Sequence, residues 1–105
     1  MNSVNVGLCG GRHPMPQVTT YVFPTQVEDP LDFVAHEAVC ENFISALVDE
    51  TTLNLYVTGL SSLLSVFLSV WARLYREQLA AGSNTMTLHL FHYNRDTEEY
   101  ESHQF

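Results

Sequence analysis

The chain has 105 residues, the length of one domain, and its apolar fraction of 46% is ordinary for a globular fold. Twelve acidic residues, four arginines and no lysine give a formal net charge of -8. This balance argues against generic nucleic-acid binding, because a duplex binder needs several cations to displace counterions along the backbone. A small anion held by a few directed donors remains compatible with the composition.

The two cysteines, Cys9 and Cys40, are too few for a disulfide scaffold, and we expect two buried thiols. The N-terminus lacks the basic region and the long apolar run of a signal peptide. Residues 51–72 are uncharged over the length of a membrane span. Gly59 and the Ser and Thr residues near it instead favour a buried strand and turn followed by a helix. The expectation is a soluble protein without a membrane partner.

Five strands and two helices are predicted along the chain from its hydrophobic periodicity and its turn residues. In order they are a strand with apolar residues at 4, 6 and 8, a strand at 18–23, a helix at 27–50, a strand at 53–57, a helix from 61 to 80–82, a strand at 85–93 and a returning strand at 98–105. The third strand, the second helix and the fourth strand form a β-α-β unit with parallel strands. The predicted fold is a single α/β domain, with a small mixed sheet and a C-terminal β-hairpin.

For the first helix, Asp29 is the expected N-cap and Pro30 the expected first residue. The apolar residues of this helix define an expected buried stripe. The stripe consists of Leu31, Val34, Ala35, Ala38, Val39, Phe43, Ile44 and Leu47. On this assignment, His36, Glu37 and Glu41 lie on a solvated face.

The second helix is apolar over more than one face, and Gly82 is its expected C-terminal cap. Its apolar residues are Leu63, Leu64, Phe67, Leu68, Val70, Trp71 and Leu74. Such breadth indicates either a central helix or a helix shared with another subunit.

Ligands of open α/β sheets bind beyond the carboxyl ends of the parallel strands. If the first strand runs parallel to the third and fourth strands, three polar loops follow these ends and are expected to converge at one edge of the sheet. Their candidate ligand-binding residues are Arg12, His13, Thr58, Gly59, His92, Asn94 and Arg95. Glycine lets backbone N–H groups approach a phosphate, a helix start attracts negative charge, and arginine grips phosphate oxygens with two donors. The pattern predicts a site for a phosphate-bearing ligand.

Aromatic residues could supply a stacking platform for a base, although most are expected to fill the core. Phe67 and Trp71, four residues apart on the second helix, are the pair expected to face a ligand or a second subunit. No metal site is predicted, because His89 and His92 point to opposite faces of a strand and no cysteine pair has zinc spacing. His13 or His92 could act as a general acid or base, but neither has a carboxylate partner evident in the sequence.

Three blocks, "RHPMPQVTTYVFP…DPLDF", "LYVTGLSSLLSVFL" and "LHLFHYNRDTEEY", resemble small phage and prophage proteins of the first Thoeris anti-defence (Tad) family. The resemblance covers most of the chain. It implies a sponge that binds a glycocyclic ADP-ribose immune signal without cleaving it, in the cytoplasm of an infected bacterium and without a cofactor. It also implies a dimer or hexamer, and in some members additional sites for cyclic di- or trinucleotides.

The same resemblance implies phosphate contacts for Arg12 and Arg95, and it makes Phe67, Trp71 and Asn94 candidates for the aromatic and asparagine contacts. Two alternatives stay open from the residues alone. One is a small phosphodiesterase that degrades cyclic nucleotides with His13 or His92. The other is a protein–protein inhibitor that uses the acidic hairpin and the wide face of the second helix.

Overall fold

A computed structural model of the chain describes residues 2–10, 18, 20–23, 27–47, 51–57, 61–82 and 86–105. Its strands are β1 (Asn2–Cys9), β2 (Thr20–Phe23), β3 (Thr51–Tyr56), β4 (Thr87–Asn94) and β5 (Glu99–Gln104), and its helices are α1 (Phe33–Ser45) and α2 (Ser61–Ala80). The predicted α/β class is confirmed, with one mixed sheet, two helices and an antiparallel C-terminal strand pair.

The five strands form one sheet in the order β2-β1-β3-β4-β5. The first four strands in this order are mutually parallel, and β5 pairs antiparallel with β4 at one edge. The predicted β3-α2-β4 unit therefore has the expected parallel strands. A turn at residues 95–98 joins β4 to β5, which confirms the predicted hairpin.

Alternating residues of the strands face both helices, which gives the domain two layers. Val6, Leu53 and Leu88 belong to one buried cluster that also contains residues from α1 and α2. The helices contact each other as well as the sheet. On the opposite face, the Asn54 side chain donates hydrogen bonds to Ser3 at 3.2 Å and to Asn5 at 2.9 Å. Among the described residues, no helix covers this polar face.

Helix α2 owes its apolar breadth to packing against both the sheet and α1. Leu63 and Phe67 are fully buried, and Trp71 is almost so. The helix ends near Gly82, whose φ of +74° is the left-handed conformation that glycine adopts most readily. The Gly82 N–H group donates to the Leu79 carbonyl at 3.2 Å, so the predicted C-terminal cap is confirmed.

Helix α1 begins at Phe33, three residues after Pro30, its predicted first residue, and it ends at Ser45, before the predicted end at residue 50. The Asp32 side chain caps it by accepting the Ala35 N–H group at 3.3 Å. The Asp29 side chain instead accepts the Leu31 N–H group at 3.0 Å, which closes a local turn around Pro30. The prediction of Asp29 as the N-cap is therefore wrong, because two aspartates compete for free N–H groups and the first one stabilises the preceding turn.

The buried face of α1 also differs from the predicted stripe. The helix buries His36, Cys40 and Ile44, which follow one another at intervals of four residues. Of the predicted stripe, Ile44 is buried and Phe43 and Leu47 are partly buried, but the other members are exposed. These exposed members are Leu31, Val34, Ala35, Ala38 and Val39.

Two contacts of His36 explain this orientation of α1. Its Nε2–H group donates to the Asp29 carbonyl at 2.8 Å, and its ring stands edge-on to Phe23 with centroids 5.5 Å apart. Burying an imidazole costs little when its polar atom is bonded and its ring packs on an aromatic side chain. The prediction of a solvated His36 is therefore wrong, whereas Glu37 and Glu41 are exposed as expected.

The expectation of two buried thiols is confirmed, since Cys9 and Cys40 are both buried and are not joined by a disulfide. The described helices include none with the length and apolarity needed to cross a membrane.

The central position of α2 predicts the cost of truncating Phe67. We expect Phe67→Ala to lower the free energy of unfolding by about 3–5 kcal/mol, because it leaves a cavity at a fully buried ring. Leu79→Ala on the same helix is the control, since Leu79 is 57% exposed and should change stability by about 0.5 kcal/mol or less. Urea denaturation measures both values, and equal effects of the two substitutions would contradict the assignment.

Candidate functional site

The order of the strands creates a topological switch point beside β1. The chain passes from β1 to β2 on one side, and β3 later pairs with the other side of β1. Connections that leave neighbouring strands in opposite directions open a crevice at the carboxyl ends, and this is where ligands bind in open α/β sheets. In this chain the switch point lies between the carboxyl ends of β1 and β3, at Cys9 and Tyr56.

Backbone hydrogen bonds extend the sheet by one residue on each side of the switch point. The Gly10 N–H group donates to the Phe23 carbonyl, and the Val57 N–H group donates to the Phe91 carbonyl, each at 2.9 Å. The sheet therefore fixes Gly10 and Val57, the last described residues before the two loops. The predicted ligand residues of these loops lie outside the described residues. They are Arg12, His13, Thr58 and Gly59.

The hairpin adds a polar turn to the same edge of the sheet. Asn94 Oδ1 accepts the Asp96 N–H group at 2.9 Å, and Asn94 Nδ2 donates to Glu101 Oε2 across the strands. Glu98 closes the turn with a left-handed φ of +58°. Both polar atoms of Asn94 are therefore engaged in holding the turn. Its neighbour Arg95 is exposed at the tip.

Arg73 and Arg95 differ in whether the guanidinium group forms an ion pair. The Arg73 guanidinium forms an ion pair with Glu41 at 3.0 Å between α2 and α1. Within the described part of the chain, this is the one ion pair, so the Arg95 guanidinium is not committed to a carboxylate there. Arg95 therefore presents a positive charge at the carboxyl edge of the sheet.

His92 lies near the carboxyl end of β4 and contacts His103 of β5. The two Nε2 atoms are 3.2 Å apart, and the rings lie within 9° of parallel with centroids separated by 5.2 Å. Both side chains are exposed. His103 was not among the residues predicted from the sequence, although the register pairs His92 with Glu101 and Leu90 with His103. Counting outward from a turn at 95–98 gives this register and would have placed the two histidines diagonally on one face.

Phe67 and Trp71 do not reach the carboxyl edge. Their rings stack on each other in the core, with centroids 6.2 Å apart and planes at 23°. Phe67 is fully buried, so the prediction that this pair faces a ligand or a second subunit is wrong for Phe67. Trp71 is 4% exposed and borders a cavity at the other end of the sheet. Hydrophobic packing of α2 against the sheet and against its neighbour α1 explains both positions.

A different aromatic cluster lies on the face of the sheet that no described helix covers. Tyr56 stacks on Phe91 with centroids 4.7 Å apart, and Tyr100 stands edge-on to both Tyr56 and Tyr93 at 5.1 and 5.3 Å. Burial, followed by the nearby hydroxyls of Tyr93, Tyr56 and Tyr21, raises the pKa of Tyr100. Tyr93 is 50% exposed. The cluster therefore offers ring surface next to the carboxyl edge.

Two surface cavities lie at the opposite, amino edge of the sheet. One has a volume of about 420 Å³ between α2 and the start of β4. Its lining residues are Trp71, Ala72, Tyr75, Arg76, Met86, Thr87, Leu88, Gln104 and Phe105. The other, of about 270 Å³, lies between the ends of α1 and α2. Neither cavity includes a predicted residue of the carboxyl edge, and the larger one contains a single cation, Arg76.

Among the described residues, no three or more His, Cys, Asp or Glu side chains are grouped so that they could hold a metal ion. Comparisons of the chain with protein-family models, with curated proteins and with solved structures found no match.

The Cys40 thiol is unsuited to act as a nucleophile. Burial, reinforced by the Glu37 carboxylate, raises its pKa to about 12. The thiolate is the reactive form of cysteine, and a thiol with this pKa stays protonated at neutral pH. Cys40 also belongs to the packed face of α1, which gives it a structural role.

This environment predicts that Cys40 resists alkylation in the folded protein. At pH 8 we expect iodoacetamide to leave Cys40 unmodified over a time in which glutathione reacts completely, because the thiol is both buried and protonated. Unfolding in guanidinium chloride should restore ordinary reactivity. Peptide mass spectrometry reads the modification at Cys40, and rapid labelling of the native protein at this residue would contradict its assigned environment.

Proposed function

We propose that the chain is a non-enzymatic binding protein that sequesters a small nucleotide-derived signal. The class of ligand is a glycocyclic ADP-ribose, with cyclic di- or trinucleotides as further members, and the setting is the cytoplasm of an infected bacterium. The observation that carries the proposal is the switch point at the carboxyl ends of β1 and β3, with the hairpin at the same edge. Such an edge is the usual place for a phosphate-bearing ligand in this class of sheet.

The distribution of charge supports a compact anion as the ligand. With a formal net charge of -8, the protein repels long polyanions, so binding must depend on a few local donors. Arg12 and Arg95 are the two arginines that lie outside α2, and Arg95 is exposed at the hairpin tip. Arginine contacts phosphate through two parallel N–H donors, which gives orientation as well as affinity.

The aromatic cluster supports a ligand that carries a base. Tyr93 and Tyr100 border the carboxyl edge with partly exposed rings, and base–aromatic stacking contributes about 1–3 kcal/mol per base. These tyrosines take the role that the sequence analysis gave to Phe67. In the proposal Asn94 acts indirectly, because it holds the turn that presents Arg95.

The environments of Cys40, His36 and His92 support the proposal that the protein does not cleave its ligand. A buried, protonated Cys40 cannot attack, and His36 is bonded to a backbone carbonyl inside the fold. His92 contacts His103 rather than a carboxylate that would orient it as a general base. A phosphodiesterase that uses His13 or His92 is the alternative, and it predicts that the ligand is recovered in an altered form.

We also propose that the protein works as a homo-oligomer, dimer or hexamer, with the exposed face of α1 as its contact surface. Four large apolar residues stand out on or beside this helix. They are Leu31, Phe33, Val34 and Val39. A second copy is the occupant that fits best, because a two-fold contact reuses one patch on both subunits. The wide apolar face of α2, the earlier candidate for this contact, packs inside the domain.

Binding followed by release tests the sponge and its arginines together. Glycocyclic ADP-ribose is incubated with a slight excess of protein, the protein is denatured by heat, and the ligand is chromatographed; we expect it to be recovered unchanged. Arg12→Ala and Arg95→Ala should each weaken calorimetric binding by about 1.5–3 kcal/mol, the range for a charged hydrogen bond. Arg76→Ala is the matched control, because Arg76 lines the cavity at the amino edge.

Each contrary result has a distinct meaning. Altered ligand at substoichiometric protein, lost in His92→Ala or His13→Ala, would replace the sponge with a phosphodiesterase. Loss of binding in Arg76→Ala alone would move the site to the amino edge. A protein that binds neither glycocyclic ADP-ribose nor a cyclic trinucleotide would favour the protein–protein inhibitor instead.

The proposed contact on α1 predicts the effect of one charge on assembly. Val34 is 81% exposed, so Val34→Glu should leave the fold intact while placing a carboxylate inside an apolar contact. We expect size-exclusion chromatography with light scattering to show an oligomer for the natural chain and a monomer for Val34→Glu. Leu79→Glu adds the same charge at another exposed apolar position and should leave the oligomer unchanged. An oligomer that survives Val34→Glu would exclude this surface.

A further inference from the structure

We propose that His92 and His103 together bind one divalent transition-metal ion of the kind that prefers imidazole ligands, such as Cu²⁺, Ni²⁺ or Zn²⁺. This site would bind a cation, whereas the proposed signal is an anion. The metal proposal therefore does not depend on the proposed sequestration of a nucleotide-derived signal. The proposal rests on the geometry of two exposed rings on one face of the β4-β5 hairpin.

The spacing of the two nitrogens matches that of two ligands on one metal ion. In a tetrahedral site with metal–nitrogen distances of about 2.0–2.1 Å, two ligand nitrogens lie about 3.3–3.4 Å apart. The Nε2 atoms of His92 and His103 are 3.2 Å apart. The rings are within 9° of parallel, with a centroid separation of 5.2 Å, so they meet through these nitrogens rather than face to face. Because both rings are exposed, they can turn until both Nε2 lone pairs point at the same ion.

The metal-free pair already contains the atoms needed for coordination. Two bare Nε2 lone pairs at hydrogen-bond distance repel each other, so one ring donates an Nε2–H group to the other. When the ion enters, the donor ring loses its Nε2 proton to water and takes up a proton from water on Nδ1, so its net charge is unchanged. Both neutral rings then coordinate through Nε2 and carry their hydrogen on Nδ1.

The hairpin holds both ligands in place before the metal arrives. His92 and His103 lie on adjacent antiparallel strands whose register is continuous from His89 to Asn94. The side chain of Asn94 fixes the turn through Asp96, and it also bonds the carboxylate of Glu101. Glu101 stands directly opposite His92 in the register, so its negative charge favours a cation on this face.

Two imidazoles leave the remaining positions of the ion open. The described residues provide no third His, Cys, Asp or Glu ligand for this pair, so water completes the coordination. Such a chelate binds more weakly than a closed structural zinc site. The affinities should follow the general order for divalent ions at nitrogen ligands, with Cu²⁺ the tightest and Ni²⁺ and Zn²⁺ weaker.

The test is a metal titration of the full chain after treatment with EDTA and removal of the chelator. Calorimetry with Zn²⁺ and Ni²⁺ in a non-coordinating buffer should show a saturable site, and the electron paramagnetic resonance spectrum of Cu²⁺ should show coupling to two nitrogens. His92→Gln and His103→Gln should each weaken binding at least tenfold. Both residues are exposed, so circular dichroism should show an unchanged fold.

His89→Gln is the matched control, because His89 is on the same strand as His92 but on the opposite face of the sheet. It should leave the affinity and the copper spectrum unchanged. The proposal is overturned if Zn²⁺, Ni²⁺ and Cu²⁺ all fail to saturate a site at 1:1 stoichiometry. It is equally overturned if binding survives both pair substitutions, or if His89→Gln weakens binding as much as His103→Gln does.

Discussion

The parallel pairing of β1 on both of its sides is the constraint on which the rest of the structure depends. β1 is hydrogen-bonded to β2 along one edge and to β3 along the other. With β1 inside the sheet, Val6 and Leu8 are fully buried under the helices, and hydrophobic burial of this kind is the main force that favours folding. The same pairing creates the switch point, because the chain must leave β1 toward one side and return on the other.

Both helices lie on one face of the sheet. The two faces of the sheet therefore differ in the chemistry of their side chains. The helix face is a continuous apolar core with Phe67 and Trp71 at its centre. The other face carries Asn5, Asn54 and the aromatic cluster, in which Tyr56 is buried and Tyr93 is half exposed. Any ligand that needs aromatic contacts at the carboxyl edge therefore meets the tyrosines of the open face and not the aromatic pair of α2.

The orientation of α1 shows how one buried polar residue can decide which helix face is hidden. His36 bonds the Asp29 carbonyl and packs against Phe23, so the helix is turned with His36, Cys40 and Ile44 inward. The consequence is a row of apolar side chains on the surface, with Val34 the most exposed. A strongly acidic chain gains solubility from its net charge, which makes such a surface tolerable and leaves it free to serve as a contact.

The sequence by itself determined the type and order of the elements, the parallel β3-α2-β4 unit, the hairpin and the cap at Gly82. These features depend on local periodicity and turn chemistry, which a short window of residues contains. The register that brings His92 to His103 was not predicted, although the length of the hairpin turn fixes the pairs on both sides and so contains this information.

Only the tertiary structure decided which face of α1 is buried, that Phe67 belongs to the core, and that β1 lies between β2 and β3. Each of these depends on contacts between residues far apart in the chain. Apolar residues at helical spacing are compatible with more than one rotation of a helix about its axis. The contact of His36 with Phe23 selects one rotation of α1, and no local sequence pattern indicates this contact. The positions of Arg12, His13, Thr58 and Gly59 stay predictions of the sequence, since they lie outside the residues that the structure describes.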